Sequence, residues 1–94
     1  MWFKCFIEGE NFPGELIGEK SLVGFYVTRF IEAASTEEAE ELAMANLRND
    51  ESLALPEGIY PSKEARVYFE SIEEVLPSEL LDNNTGFTFY VMGT

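Results

Sequence analysis

Histidine is absent from these 94 residues. Its loss removes the side chain most often used as a general base near neutral pH, and one of the two residue types that zinc prefers. Cysteine is almost absent as well, since Cys5 stands alone and no internal disulfide can form. Cys5 shares a strand face with Phe3 and Ile7, where apolar surroundings raise a thiol pKa and leave it unreactive, so it reads as a core residue rather than a nucleophile. Basic residues are few and scattered: Lys4, Lys20, Arg29, Arg48, Lys63 and Arg66 stand against 18 acidic residues, for a formal charge of −12. Such a chain has no cationic stripe to follow a phosphate backbone or an anionic bilayer, so nucleic-acid and membrane partners are not expected. No apolar run approaches the ~20 residues that span a bilayer. The first residues also lack the basic start, apolar run and small-residue cleavage site of a secretory signal, so the expected location is the cytoplasm.

What is present is apolar and aromatic. A hydrophobic fraction of 46% and an aromatic fraction of 14% belong to a folded chain, and residues 1–94 read as one domain with one modest core. The excess acid is read first as a solvated surface that keeps the protein soluble. The sharper alternative is an acidic mimic or immunity-like protein for a basic partner.

Residues 2–8 alternate in strand fashion, with Phe3, Cys5 and Ile7 on one face and Trp2, Lys4, Phe6 and Glu8 on the other. Residues 9–21 carry Asn11, Pro13, Gly14 and Gly18 around two apolar islands, Phe12 and Leu16-Ile17, and suit a long ordered loop that plugs one end of the core. Residues 22–33 form a second strand, rich in β-branched and aromatic side chains. It ends at Ser35-Thr36-Glu37-Glu38, a capping box in which Ser35 accepts from the Glu38 amide and the Glu38 carboxylate reaches back to the Ser35 amide. The helix that starts there runs over 36–50, with Ala39, Leu42, Ala43 and Leu47 on one stripe and polar Asn46 interrupting it near the rim.

Pro56, Gly58 and Pro61 make residues 53–62 a connector, with a short turn around 53–55. Residues 64–72 alternate again as a third strand. Either Pro77 opens a second short helix near 77–82, or Ile72, Val75 and Leu76 belong to one interrupted segment. Asp82-Asn83-Asn84-Thr85-Gly86 is a turn cluster, and residues 87–92 are a fourth strand. The expected fold is α+β, a two-layer sandwich of β-β-α-β-β order with a four-stranded, mainly antiparallel sheet.

Three stretches, Gly24-Phe25-Tyr26-Val27-Thr28-Arg29-Phe30, Ser35-Thr36-Glu37-Glu38-Ala39-Glu40 and Gly86-Phe87-Thr88-Phe89-Tyr90, resemble a family of small uncharacterised bacterial proteins. In that family a Gly-Phe-Tyr-Thr-Thr-Arg strand leads into an acidic helix and the chain closes on a Gly-Phe-Thr-Phe-Tyr strand. Val27 stands here where threonine is more usual. The resemblance covers most of the chain and implies a compact α+β fold of bacterial origin, with no assigned activity.

No catalytic, metal or cofactor site is expected. The helix glutamates face water by periodicity, Glu73-Glu74 reads as a solvated pair, the 82–86 turn lacks calcium-loop spacing, and the glycines do not form a phosphate-binding loop. One polar residue stands out. Alternation groups Arg29 with Phe25, Val27 and Ile31, against Tyr26, Thr28 and Phe30, and either face can be the inner one. An inward Arg29 needs a carboxylate partner. Counting Phe3, Cys5, Ile7, Val67, Phe69, Phe87, Phe89 and Val91 as helix-facing leaves Trp2, Phe6, Tyr68 and Tyr90 on the far side, joined by Tyr26 or Phe25.

That surplus of rings marks Trp2, Phe6, Tyr26, Tyr68 and Tyr90 as a candidate interaction surface, and the chain as a non-catalytic protein-interaction module. Its partner would be a second copy, making a homo-oligomer, or another protein. The alternative is a small anionic-ligand binder using Arg29, with Phe12 and Tyr26, beside the 9–21 loop.

Overall fold

Alternation of apolar and polar side chains carries the first strand further than residue 8: β1 spans Trp2–Phe12 and is the longest strand of the sheet. The computed structural model describes residues 1–61, 63–79 and 86–92. The other strands are β2 (Val23–Glu32), β3 (Arg66–Val75) and β4 (Thr88–Val91), and one main helix, α1 (Thr36–Arg48), follows β2. All neighbouring strands are antiparallel, in the order β3-β1-β2-β4, so the chain is an α+β protein with a four-stranded sheet and one main helix.

The loop expected over 9–21 is therefore shorter. It begins after Phe12 and holds a 3-10 turn, Gly14–Ile17, closed by Gly18 in the left-handed conformation. Phe12 packs against the core as expected of a plug, and Leu16 is half-buried, whereas Ile17 is exposed. The extension of β1 passes an irregularity between Gly9 and Phe12, where Asn11 takes a positive φ of 60°. Asparagine tolerates that region better than most residues, and the Asn11 side-chain amide donates to the Glu64 carbonyl at 3.2 Å.

The α1 start follows from its cap. Ser35 Oγ accepts from the Glu38 amide at 3.2 Å. The returning Glu38 carboxylate accepts from the amide of Ala34, one residue before the cap, rather than from that of Ser35. The helix lies over β1, β2 and β3 and buries Ala39, Ala43 and Leu47. Two alanines at this spacing let the backbone come close to the sheet, and Leu42, expected on the same stripe, is 43% exposed instead. Beneath α1 lie Phe3, Cys5, Ile7, Phe25, Val27 and Ile31, all buried. The β1–β2 register sets Phe3 opposite Ile31, Cys5 opposite Arg29 and Ile7 opposite Val27, so the inner face of β2 is the odd-numbered one.

β3 begins and ends later than residues 64–72 and reaches Val75, so Ile72 and Val75 lie within one strand. After it a 3-10 turn, Pro77–Glu79, stands where the second short helix was expected; residues 80–82 and the 82–85 turn lie outside the described residues. Val91 shares the register of the core face but is 48% exposed, because β4 is an edge strand and α1 lies on the other three. Among the described residues no helix is long and apolar enough to cross a membrane.

Candidate functional site

The face of the sheet turned away from α1 receives the even-numbered residues of β1 and β2. Trp2, Phe6, Tyr26, Tyr68 and Tyr90 all lie on it, so every ring singled out from the sequence reaches the same face. Phe6, Tyr26 and Tyr68 are 37%, 37% and 39% exposed, which leaves them without a covering layer among the described residues. Trp2 and Tyr90 are half-buried.

Register explains how the rings meet. Phe6 stands opposite Thr28, which puts Tyr26 on its diagonal; the rings stack at 5.7 Å with planes 8° apart. Tyr26 stands opposite Thr88, which puts Tyr90 on the next diagonal, at 5.4 Å. One row of three rings thus crosses β1, β2 and β4. Beside it a shallow depression of about 270 Å³ is bordered by Phe6, Tyr26, Thr28, Gly86 and Thr88.

Tyr90 can lie across β2 because its partner there is Gly24: a Cβ at that position would sit 2.2 Å from the ring. Its hydroxyl thereby reaches β1 and donates to Glu8 Oε2 at 2.5 Å. Glu10, two residues on, accepts from the Tyr68 hydroxyl at 3.3 Å. A third carboxyl comes from β3, two residues after Tyr68 and at a bulge. Phe6 pairs with Ser71 and Ile7 with Phe69, so Glu70 is the extra residue, and its carboxyl meets Glu8.

These contacts set the protonation. The Tyr90 hydroxyl, and then Glu70 and Tyr26, hold the Glu8 carboxyl below the usual carboxylate range against the opposing effect of burial. The hydrogen bond with Glu8, then burial and the Glu8 charge, raise the pKa of Glu70. Burial and the neighbouring carboxylates raise both Tyr90 and Tyr26, so their hydroxyls remain donors at neutral pH. Among the described residues no lysine or arginine makes an ion pair with Glu8, Glu10 or Glu70, and no three acidic or thiol groups are placed to hold a metal ion.

The structure does not bring Phe12, Tyr26 and Arg29 together. Tyr26 is on the uncovered face, whereas Arg29 is 4% exposed on the helix face and Phe12 packs edge-on to Phe25 at one end of the core. Arg29 has the carboxylate that an inward arginine requires: Nη2 bonds Asp50 Oδ2 at 2.7 Å, Nε donates to Asn46 Oδ1 at 2.7 Å, and Nη1 donates to the Thr28 carbonyl. Its guanidinium also lies over the Phe87 ring, 5.2 Å from the centroid. Asn46 interrupts the helix stripe at the place where Arg29 needs an acceptor. Burial, aided by the charge of Glu40, pushes the Cys5 thiol up to about 11, so it stays protonated at neutral pH.

Sequence reasoning found the rings but missed the carboxylates among them. Alternation puts Glu8 on the face of Phe6 and Glu70 on the face of Tyr68; what leaves no mark in the sequence is the β1–β3 register that sets Tyr68 opposite Glu8 and so brings these carboxyls together. Compared with protein-family models, with curated proteins and with solved structures, the chain matches none.

Proposed function

We propose that this protein is a non-catalytic interaction module that docks on a protein surface, a second copy or another chain, through the uncovered face of its sheet. The observation that carries the reading is the continuous Phe6–Tyr26–Tyr90 row, flanked by Tyr68, on a face with no layer over it among the described residues. A sheet buries one side behind its own helix, and stacked rings left on the other side form the type of surface that association covers. Rings fixed by cross-strand stacking lose little further freedom on docking, which favours them as anchors.

Size-exclusion chromatography with light scattering at micromolar concentration tests the reading, alone and with candidate partners. Phe6→Glu and Tyr68→Glu alter exposed rings and leave the helix-side core untouched. Each is expected to abolish association while the circular dichroism of the fold is retained. A strict monomer whose variants lose no partner would refute the reading.

A further inference from the structure

The two possible occupants of this face, a copy of the chain and a different protein, differ in charge. Around the ring row stand Glu8, Glu10 and Glu70, and the same face carries Glu32 and Glu73 toward its other end, against Lys4 and Arg66. A second copy would bring an identical acidic face and another −12 of formal charge, and a two-fold contact would set these carboxylates against their own kind. A cationic partner would meet the opposite field.

The chemistry of the face is more specific than its sign. A guanidinium stacks flat on an aromatic ring and donates from its edge to a carboxylate, so flat rings edged by carboxylates fit arginine better than the compact ammonium of lysine. The protein contains this arrangement once already, filled from within. On the helix face Arg29 lies over Phe87 and is held at its edge by Asp50 and Asn46. On the uncovered face Phe6 and Tyr26 supply the rings and Glu8, Glu10 and Glu70 the carboxylates; Arg66 stands across from Glu10, but no arginine of the described residues makes an ion pair with any of the three.

We infer that the occupant of this face is an arginine-bearing, positively charged segment of another protein, its guanidinium groups stacking on the Phe6–Tyr26–Tyr90 row and bonding to the carboxylates beside it. The inference rests on the docking reading above and narrows it.

The test uses the full chain, isotope-labelled, titrated with a short peptide alternating arginine and glycine at physiological ionic strength, and with its lysine counterpart. Amide shifts are expected on β1, β2 and β4 around Phe6, Glu8, Tyr26 and Tyr90. Fluorescence anisotropy is expected to show roughly tenfold weaker binding for the pair Glu8→Gln with Glu70→Gln, corresponding to about 1.4 kcal/mol. In Glu8→Gln the new carboxamide oxygen still accepts from the Tyr90 hydroxyl, so the fold is kept. The pair Glu40→Gln with Glu41→Gln, which removes equal charge from the outer face of α1, is expected to leave affinity unchanged. Equal weakening by both pairs means general charge attraction and overturns the inference, and equal affinity for the lysine peptide overturns its stacking half. A dimer broken by Phe6→Glu, together with an arginine peptide that does not bind, overturns the inference in favour of a second copy and leaves the docking reading standing. A strict monomer that binds neither peptide at this face removes both.

Discussion

The two faces of this sheet are built from the same parts and put to different ends. Each has an aromatic ring laid over a cross-strand glycine: Phe25 covers Gly9 beneath the helix, and Tyr90 covers Gly24 on the open side. Each also sets carboxylates beside rings. On the helix side of the sheet Phe25 meets Phe12, Phe87 and Phe89 edge to face, and the buried Arg29 is ion-paired with Asp50. On the open side the rings lie in a row and, among the described residues, the carboxylates are bonded by tyrosine hydroxyls and by each other. Closed packing uses its polar groups internally; the open face keeps them turned outward.

The contrast is broken most forcefully at the glycines. Gly9→Ala drives a methyl to within 2.1 Å of the Phe25 ring, which is fully buried and has nowhere to go. A loss of about 3 kcal/mol is expected in urea unfolding, at the upper end of the usual overpacking range. Arg29→Met removes the buried cation while leaving Asp50, itself partly exposed, to recover water. The expected cost is about 2 kcal/mol, below that of breaking a fully buried pair. Gly24→Ala meets the Tyr90 ring at 2.2 Å, but Tyr90 sits on a short edge strand and can swing outward. It should cost only the hydroxyl bond to Glu8 and some stacking, about 1 kcal/mol. If the two glycine variants cost the same, the open face is as tightly determined as the core, and the contrast between the faces fails.

The smallest effect carries the sharpest sign. Glu70 has its folded pKa raised, so the folded state holds a proton more readily than the unfolded chain; the associated stability is present below the ordinary glutamate pKa and lost as pH rises through the folded value. Glu70→Gln should therefore melt at a slightly higher temperature than the parent at pH 7, with the difference vanishing below about pH 4. Asp50 runs the other way: the Ser52 amide, and then Arg29, lower its pKa. Its contribution is present above the ordinary aspartate value and fades as acid protonates it.

Most of the architecture was legible because local signals agreed. Alternation on β1 and β2, the Ser35 cap and the proline-rich connector each marked their elements, and parity grouped the rings; which face of β2 is inner, and so whether Tyr26 or Phe25 joins the outer rings, needed the β1–β2 register. The boundaries that moved did so through long-range pairing: β1 continues past Gly9 because β3 hydrogen-bonds to it as far as Glu10. Leu42 fell outside the buried stripe because it lies about 100° round the helix from Ala43, the middle of the buried Ala39, Ala43 and Leu47. Arg29 and Asn46 were each visible as polar interruptions of an apolar face, and neither alone revealed that one answers the other. The carboxylate cluster depends on the β1–β3 register, which sets Tyr68 opposite Glu8, a property of pairing between strands some sixty residues apart in sequence.

Because β1 sits inside the sheet, one of its hydrogen-bonding edges is satisfied by the strand that follows directly and the other by a strand more than fifty residues downstream. During synthesis the hairpin of β1 and β2 with α1 can close early, but the second edge of β1 stays open to any extended chain until β3 emerges. Closing that gap over a long loop is the slow step expected of refolding, and substitutions in β3 should act on its rate more than those in α1.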